Sequence, residues 1–193
     1  MIRHWPAALV LTLVASVAVS SPPALSEESS RAAMAKMERI SSESMKPGEE
    51  ITLTEDEINS YLQYDYAPEM PQGVRDLRIK LLKDRGVVHA YVDLAKLQSS
   101  SEGSFAALWL AVFRGERQLE ATCRYTSAGG QAVVELESAL LDGTSVPKPV
   151  LDWLVSWAIA EHFPHVELGK PSPLPNNLEQ IRVEPGQAVI ISK

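Results

Sequence analysis

The feature that most restricts how this chain can fold is a regular alternation of apolar and polar residues. Residues 76–94 alternate in this way on both sides of a KDRG turn, and residues 118–141 do so around an SAGG turn. A shorter pair of apolar stretches, 178–192, is interrupted by Pro185 and Gly186. Because successive side chains of a strand point to opposite faces, the pattern predicts antiparallel hairpins with one apolar face. Such a face must be covered by another part of the chain or of its surroundings.

The stretch VPKPVLDWLVSWAIAEHF, residues 146–163, is apolar on nearly all sides when it is drawn as a helix. Asp152 and Ser156 form one thin polar stripe along it. The run is too short to span a bilayer, which takes about 20 predominantly apolar residues. We therefore expect a buried helix that covers the apolar face of the predicted sheet.

A second, shorter helix is predicted by a capping box, in which Thr54 is followed three residues later by Glu57. An apolar edge follows it, formed by Ile58, Tyr61 and Leu62. Together these elements predict an α+β fold. In this fold a strongly curved antiparallel β-sheet wraps around one long apolar helix, and the short amphipathic helix lies alongside.

The N-terminal residues 1–25 have the features of a secretory signal peptide. Arg3 precedes the apolar run PAALVLTLVASVAV, and small residues near SSPP offer a cleavage site. An uncleaved N-terminal anchor is the alternative. We expect an exported protein, periplasmic or secreted, that is free or tethered to the membrane by this segment. Residues 26–50 are predicted to form a helical or linker stalk, and residues 51–193 a single domain.

Charge and cysteine content exclude several classes of protein. The net charge is −7, from 18 basic and 25 acidic residues, and no Lys/Arg cluster is present. This balance argues against nucleic acid as a partner. Cys123 is the single cysteine, so no internal disulfide can form. The alternation places Cys123 on an apolar strand face, where we expect it to be a small core residue.

The sequence contains no motif of a known type of catalytic or metal site. The G-x-S-x-G, H-E-x-x-H, G-x-x-x-x-G-K and C-x-x-C patterns are all missing. His162 and His165 are spaced like metal ligands, but Pro164 ends the helix between them. We therefore expect no catalytic residue, no bound metal and no cofactor.

The segment 99–118 combines a Ser/Gly-rich stretch with the apolar run FAALWLAVF, which includes Leu108 and Trp109. One interpretation is a further core element, either a short helix or a buried strand. The other is a flexible apolar flap that touches a membrane surface. The sequence alone leaves both open.

The order of these elements resembles that of the YceB-like bacterial envelope proteins and, more broadly, of the TULIP superfamily of tubular lipid-binding domains. The resemblance covers about residues 51–193 and rests on the phrases TEDEINSYL at 54–62, VEPG at 183–186 and the strand-to-helix entry at 135–155. It implies a half-barrel, a bent antiparallel sheet around a long helix, with an apolar groove for acyl chains. No cysteine stands directly after the signal-like segment, so a lipoprotein anchor is not implied.

The leading hypothesis is an extracytoplasmic binding protein or carrier that holds a lipid or another long apolar ligand between sheet and helix. Pockets for such ligands are lined by apolar side chains with few polar groups. The candidate pocket residues are Val150, Leu151, Trp153, Leu154, Trp157, Ile159 and Phe163 of the helix, with Leu108 and Trp109 of the 99–118 segment.

Two alternatives stay open at this point. The first is an envelope interaction or assembly module whose interior is filled by its own side chains. The second is an enzyme that modifies envelope lipids, for which His89, His162 and His165 are the available general bases.

Overall fold

The computed structural model of the protein describes residues 25–42, 44–70, 72–93, 96, 115–151 and 168–193. In this part of the chain two complete α-helices, one short 3-10 helix and nine strands follow one another, and residues 148–151 are also helical. The helices are α1 (Glu27–Ser41), α2 (Glu55–Tyr64) and the 3-10 helix Ala67–Glu69. The strands are β1 (Glu50–Thr54), β2 (Val74–Leu82), β3 (Arg85–Asp93), β4 (Glu116–Ala128), β5 (Gln131–Leu141), β6 (Thr144–Ser145), β7 (Ser172–Pro173), β8 (Leu178–Glu184) and β9 (Gln187–Ser192).

The strands form two antiparallel sheets. The smaller has the order β1-β9-β8, and the larger has the order β2-β3-β4-β5-β6, with β7 also paired to β5. The predicted fold, a strongly curved sheet wrapped around one long apolar helix, is therefore wrong. The two complete α-helices of the described residues are 15 and 10 residues long, and neither is wrapped by a sheet. None of these helices is long and apolar enough to cross a bilayer.

The error has a clear physical origin. Alternation identifies strands and their nearest hairpin partners, but it does not show which distant strands pair. Here β1 pairs with β9, so that Glu50 lies opposite Ile191. Because of this long-range pairing, β1, β8 and β9 form a separate sheet.

The three predicted hairpins are present. The β2–β3 turn consists of Lys83 and Asp84, and the β8–β9 turn consists of Pro185 and Gly186. Gly129 and its neighbour Gly130 form the β4–β5 turn and have φ of 60° and 75°. A two-residue type I′ turn requires positive φ at both positions, which glycine adopts without strain.

The larger sheet has one apolar and one polar face, as the register shows. Ile79, Val88, Ala121 and Ala139 lie side by side across β2, β3, β4 and β5. One residue along, the neighbouring row consists of Arg78, His89, Glu120 and Leu140. The predicted division into apolar and polar faces is thus confirmed for β3, β4 and the first half of β5. The prediction that Leu140 lies on the apolar side is wrong, because Leu140 belongs to the polar row.

A β-bulge at Glu137 shifts the alternation of β5 by one residue, so that Leu136, Ala139 and Leu141 face the apolar side and Leu140 does not. The pairing shifts so that Cys123 of β4 lies opposite Leu136, and Glu137 is the extra residue on β5. Glu137 accepts hydrogen bonds from Arg85 (2.7 Å) and Arg124 (2.7 Å) on the polar face. The bulge therefore keeps Leu136 on the apolar face and places a carboxylate between two guanidinium groups.

Helices α1 and α2 cover one face of the smaller sheet. Ala33 and Ile40 of α1 are buried against Ile51, Leu53 and Ile190. The segment predicted as a helical or linker stalk thus contains a helix whose thin apolar stripe lies in a core. The predicted capping box is present: Thr54 accepts from the backbone N–H of Glu57, and the Glu57 carboxylate accepts from that of Thr54.

Asn59 of α2 seals the free edge of the larger sheet. Its side-chain amide donates to the carbonyl of Ile79 (2.8 Å) and accepts from the N–H of Ile79 (2.7 Å). Nearby, the N–H of Leu81 donates to Glu55 (2.7 Å). These side chains take the place of a neighbouring strand, which an open sheet edge otherwise attracts.

Candidate functional site

The described candidate pocket residues lie at one end of the larger sheet. Val150 is fully buried in a core with Val92, Ala139, Leu141 and Val146. Leu151 packs against the same core. Val150 therefore packs against protein side chains on all sides. The other candidates lie outside the described residues: Trp153, Leu154, Trp157, Ile159, Phe163, Leu108 and Trp109.

Beyond that core, the apolar face of the larger sheet continues toward the β2–β3 and β4–β5 turns. There most of its side chains are only partly buried, and Leu81, at 7% exposed, is the exception. We call this region the half-open face. It consists of Ile79, Val88, Cys123, Tyr125, Val134 and Leu136. Several of these residues were predicted to lie on the apolar side of the sheet, but none was predicted to be a ligand contact.

Two ionisable groups report the polarity of the half-open face. Burial raises the pKa of the Cys123 thiol, and the nearby Glu137 carboxylate raises it further. Burial also raises the pKa of Tyr125, although a hydrogen bond with Ser127 opposes the effect. Both shifts disfavour charge on this surface, which suits an apolar ligand and makes Cys123 a poor nucleophile.

The polar face of the same sheet carries paired charges. Arg75 binds Glu116, with its Nε 2.5 Å from the carboxylate, and its guanidinium group lies 4.3 Å from the ring centre of Tyr91. His89, which has no acidic neighbour in the sequence, lies 3.6 Å from Glu120 on the adjacent strand. The cross-strand register brings these groups together, and their pairing was not predicted from the sequence.

The two sheets are joined by hydrogen bonds along one line. Ser127 of β4 donates to the carbonyl of Ile181 in β8 (2.7 Å) and accepts from its N–H (2.8 Å). The β2–β3 turn continues the joint, because the N–H of Asp84 donates to the carbonyl of Val183 (3.0 Å). The N–H of Tyr125 in turn donates to the carbonyl of Asp84 (3.0 Å).

A cavity of about 540 Å³ lies at this joint. Its walls are the β2–β3 turn, residues 125–127 of β4, residues 180–184 of β8 and Pro185 of the β8–β9 turn. The volume is within the range of small-molecule sites, about 300–1,000 Å³. Tyr125 belongs both to this cavity and to the half-open face, so the two are neighbours. We call this space the joint cavity.

The described residues contain no group of three His, Cys, Asp or Glu side chains placed to hold a metal ion. His162 and His165 lie outside the described residues. Of the three histidines considered as general bases, the structure therefore describes only His89, which pairs with Glu120 on the polar face.

A comparison with protein-family models finds no match to this chain, and a comparison with curated proteins finds none either. The resemblance to YceB-like and TULIP proteins therefore stays a prediction from the sequence.

Proposed function

We propose that this protein binds a lipid or another long apolar ligand on the half-open face of its larger sheet. The observation that carries the proposal is the partial burial of a continuous apolar surface formed by β2, β3, β4 and β5. Apolar surface of this kind gains about 25 cal/mol per Å² when a ligand removes it from water.

Two further observations support the proposal. The raised pKa values of Cys123 and Tyr125 indicate a surface on which charge is disfavoured. The signal-like N-terminal segment supports an extracytoplasmic location, in which the binding protein meets lipids at the cell envelope.

The first test is to purify the chain from residue 26 onward out of a bacterial periplasm and to measure its mass under native conditions. Organic extraction then identifies what it carries. We expect a discrete added mass that extracts as lipid. A mass equal to that of the bare chain, unchanged after incubation with mixed bacterial lipids, would instead favour the interaction module with a filled core.

A matched pair of variants locates the site. Val134→Glu places a carboxylate on the half-open face, whereas Val133→Glu places the same group one residue away on the polar face. Both positions are partly buried in β5. We expect Val134→Glu to lose bound lipid and Val133→Glu to retain it, with circular dichroism confirming that both variants fold. Equal lipid content in the two folded variants would contradict a site on this face.

A further inference from the structure

The joint cavity differs chemically from the half-open face beside it. Its lining includes two basic residues, Lys83 and Arg182, and two acidic residues, Asp84 and Glu184. It also includes the aromatic ring of Tyr125. The lining of the cavity is therefore mixed, with balanced charges beside the apolar residues Ile181, Val183 and Pro185, whereas the adjoining face is apolar.

One of the basic side chains is already paired. Arg182 lies 3.3 Å from the carboxylate of Glu50 and 3.6 Å from that of Glu184. Glu184 also accepts a hydrogen bond from Gln187 (2.8 Å). These contacts fix one wall of the cavity and neutralise its charges.

The other two charged residues have no such pairing. Lys83 and Asp84 form the exposed β2–β3 turn at the cavity, and neither side chain has a hydrogen-bond or ion-pair partner in the described chain. The backbone of Asp84 is held on both sides, by Val183 and by Tyr125. The turn thus presents, from a fixed backbone, the Lys83 ammonium and the Asp84 carboxylate, whose charge also interacts with that of Arg85.

We propose that the joint cavity binds the zwitterionic head of the ligand, an ammonium and a phosphate joined by a short spacer. The inference rests on the proposed function, because it places the acyl chain of the same ligand on the half-open face. The phosphate pairs with Lys83 and the ammonium pairs with Asp84. The ring of Tyr125 offers a second contact for the ammonium.

The test compares three lipids with identical acyl chains by native mass spectrometry: phosphatidylethanolamine, phosphatidylglycerol and diacylglycerol. Glycerophosphoethanolamine, which has the same head without chains, forms a fourth arm measured by calorimetry. We expect phosphatidylethanolamine to bind about tenfold more tightly than diacylglycerol and about threefold more tightly than phosphatidylglycerol. These factors correspond to two exposed ion pairs and to one.

Two substitutions test the assignment of the charges. Lys83→Gln and Asp84→Asn should each weaken phosphatidylethanolamine binding about threefold, and neither should change diacylglycerol binding. Asparagine tolerates the left-handed backbone of Asp84, whose φ is 55°. Lys80→Gln and Asp76→Asn are the controls, because Lys80 lies on the polar face and Asp76 is an exposed residue with φ of 52° that pairs with Arg75. We expect both controls to bind like the unchanged protein.

The outcomes separate the two proposals. Equal binding of all three lipids would overturn the head-group site and leave the lipid-binding function standing. Binding of glycerophosphoethanolamine alone, sensitive to Asp84→Asn, would support a zwitterion site and overturn the lipid-binding function. Absence of binding in all four arms would overturn both.

Discussion

The apolar surfaces of the two sheets are buried to different extents. In the smaller sheet Ile51, Leu53 and Ile190 are at most 9% exposed, because α1 and α2 cover them. The larger sheet has a buried core at one end, with Val92, Ala139 and Leu141, but toward its turns the same kind of side chain, such as Val134 and Leu136, is only partly buried. We call the first region the closed core and compare it with the half-open face.

The difference shows that alternation alone does not make a core. Both sheets have an apolar face, but only the smaller one has two described helices packed across it. A side chain in the closed core has neighbours on all sides, whereas one on the half-open face keeps contact with water. A surface of the second kind can gain free energy from a ligand, and this contrast underlies the proposed function.

The largest effect is expected from truncating leucine in each region. Leu53→Ala removes a side chain from the closed core and should lower the free energy of unfolding by about 3 kcal/mol. Leu136→Ala makes the same change on the half-open face and should cost about 1 kcal/mol, because less apolar area is lost. Urea unfolding measures both. Equal losses would show that the two regions are packed alike and would break the comparison.

A somewhat smaller loss of stability is expected at the contact between α2, which covers the closed core, and the larger sheet. Asn59→Ala removes both hydrogen bonds to Ile79 and should lower the free energy of unfolding by about 2 kcal/mol. Gln63→Ala in the same helix is the control, since Gln63 forms no hydrogen bond through its side chain within the described chain. Similar unfolding midpoints for the two variants would mean that Asn59 does not hold α2 to the sheet edge.

The free energy of unfolding should also depend on pH, through Glu57 at the start of α2. Burial raises the pKa of Glu57, but the hydrogen bond from Lys36, at 2.5 Å, and the cap at Thr54 lower it more, so the net shift is downward from 4.5. A lowered pKa in the folded state stabilises the protein above pH 4.5, and this contribution is lost as the pH falls through the folded-state pKa. Glu57→Gln should remove about 1 kcal/mol at pH 7 and flatten this part of the acid titration. Glu38→Gln, an exposed change on α1, should leave the titration unchanged.

The smallest expected effect is on the alkylation rate of the Cys123 thiol, which lies on the half-open face. Cys123 is the single cysteine, so alkylation by iodoacetamide reports on this face alone. Its raised pKa leaves less thiolate at pH 8 than in the unfolded chain, and alkylation should be several-fold slower. Added lysophosphatidylethanolamine should slow it about twofold more by covering the face. An alkylation rate that is insensitive to the lipid would argue against a ligand at Cys123.

Local features of the fold could be predicted from the sequence. The hairpin β4–β5 follows from alternation on both sides of Gly129 and Gly130, and the start of α2 follows from Thr54 and Glu57. These signals involve residues close together in the chain, so the backbone geometry of each segment determines them.

The candidate site could be predicted only in part. The apolar side of β4, with Cys123 and Tyr125, is visible in the sequence, because every second residue faces the same way. The joint cavity is not visible, because it depends on Ser127 meeting Ile181 and on the turn at Asp84 meeting Val183. Nothing in the local pattern of either strand specifies the other.

The sequence by itself determined the three hairpins, most of their apolar sides, the cap of α2 and the turns, because each depends on interactions within a few residues. The tertiary structure decided that β1 pairs with β9, that two sheets form in place of one, and that Asn59 seals a sheet edge. Those choices depend on contacts between distant segments, whose free energy is gained only after the chain has closed long loops. The same contacts leave one apolar face closed and the other half-open.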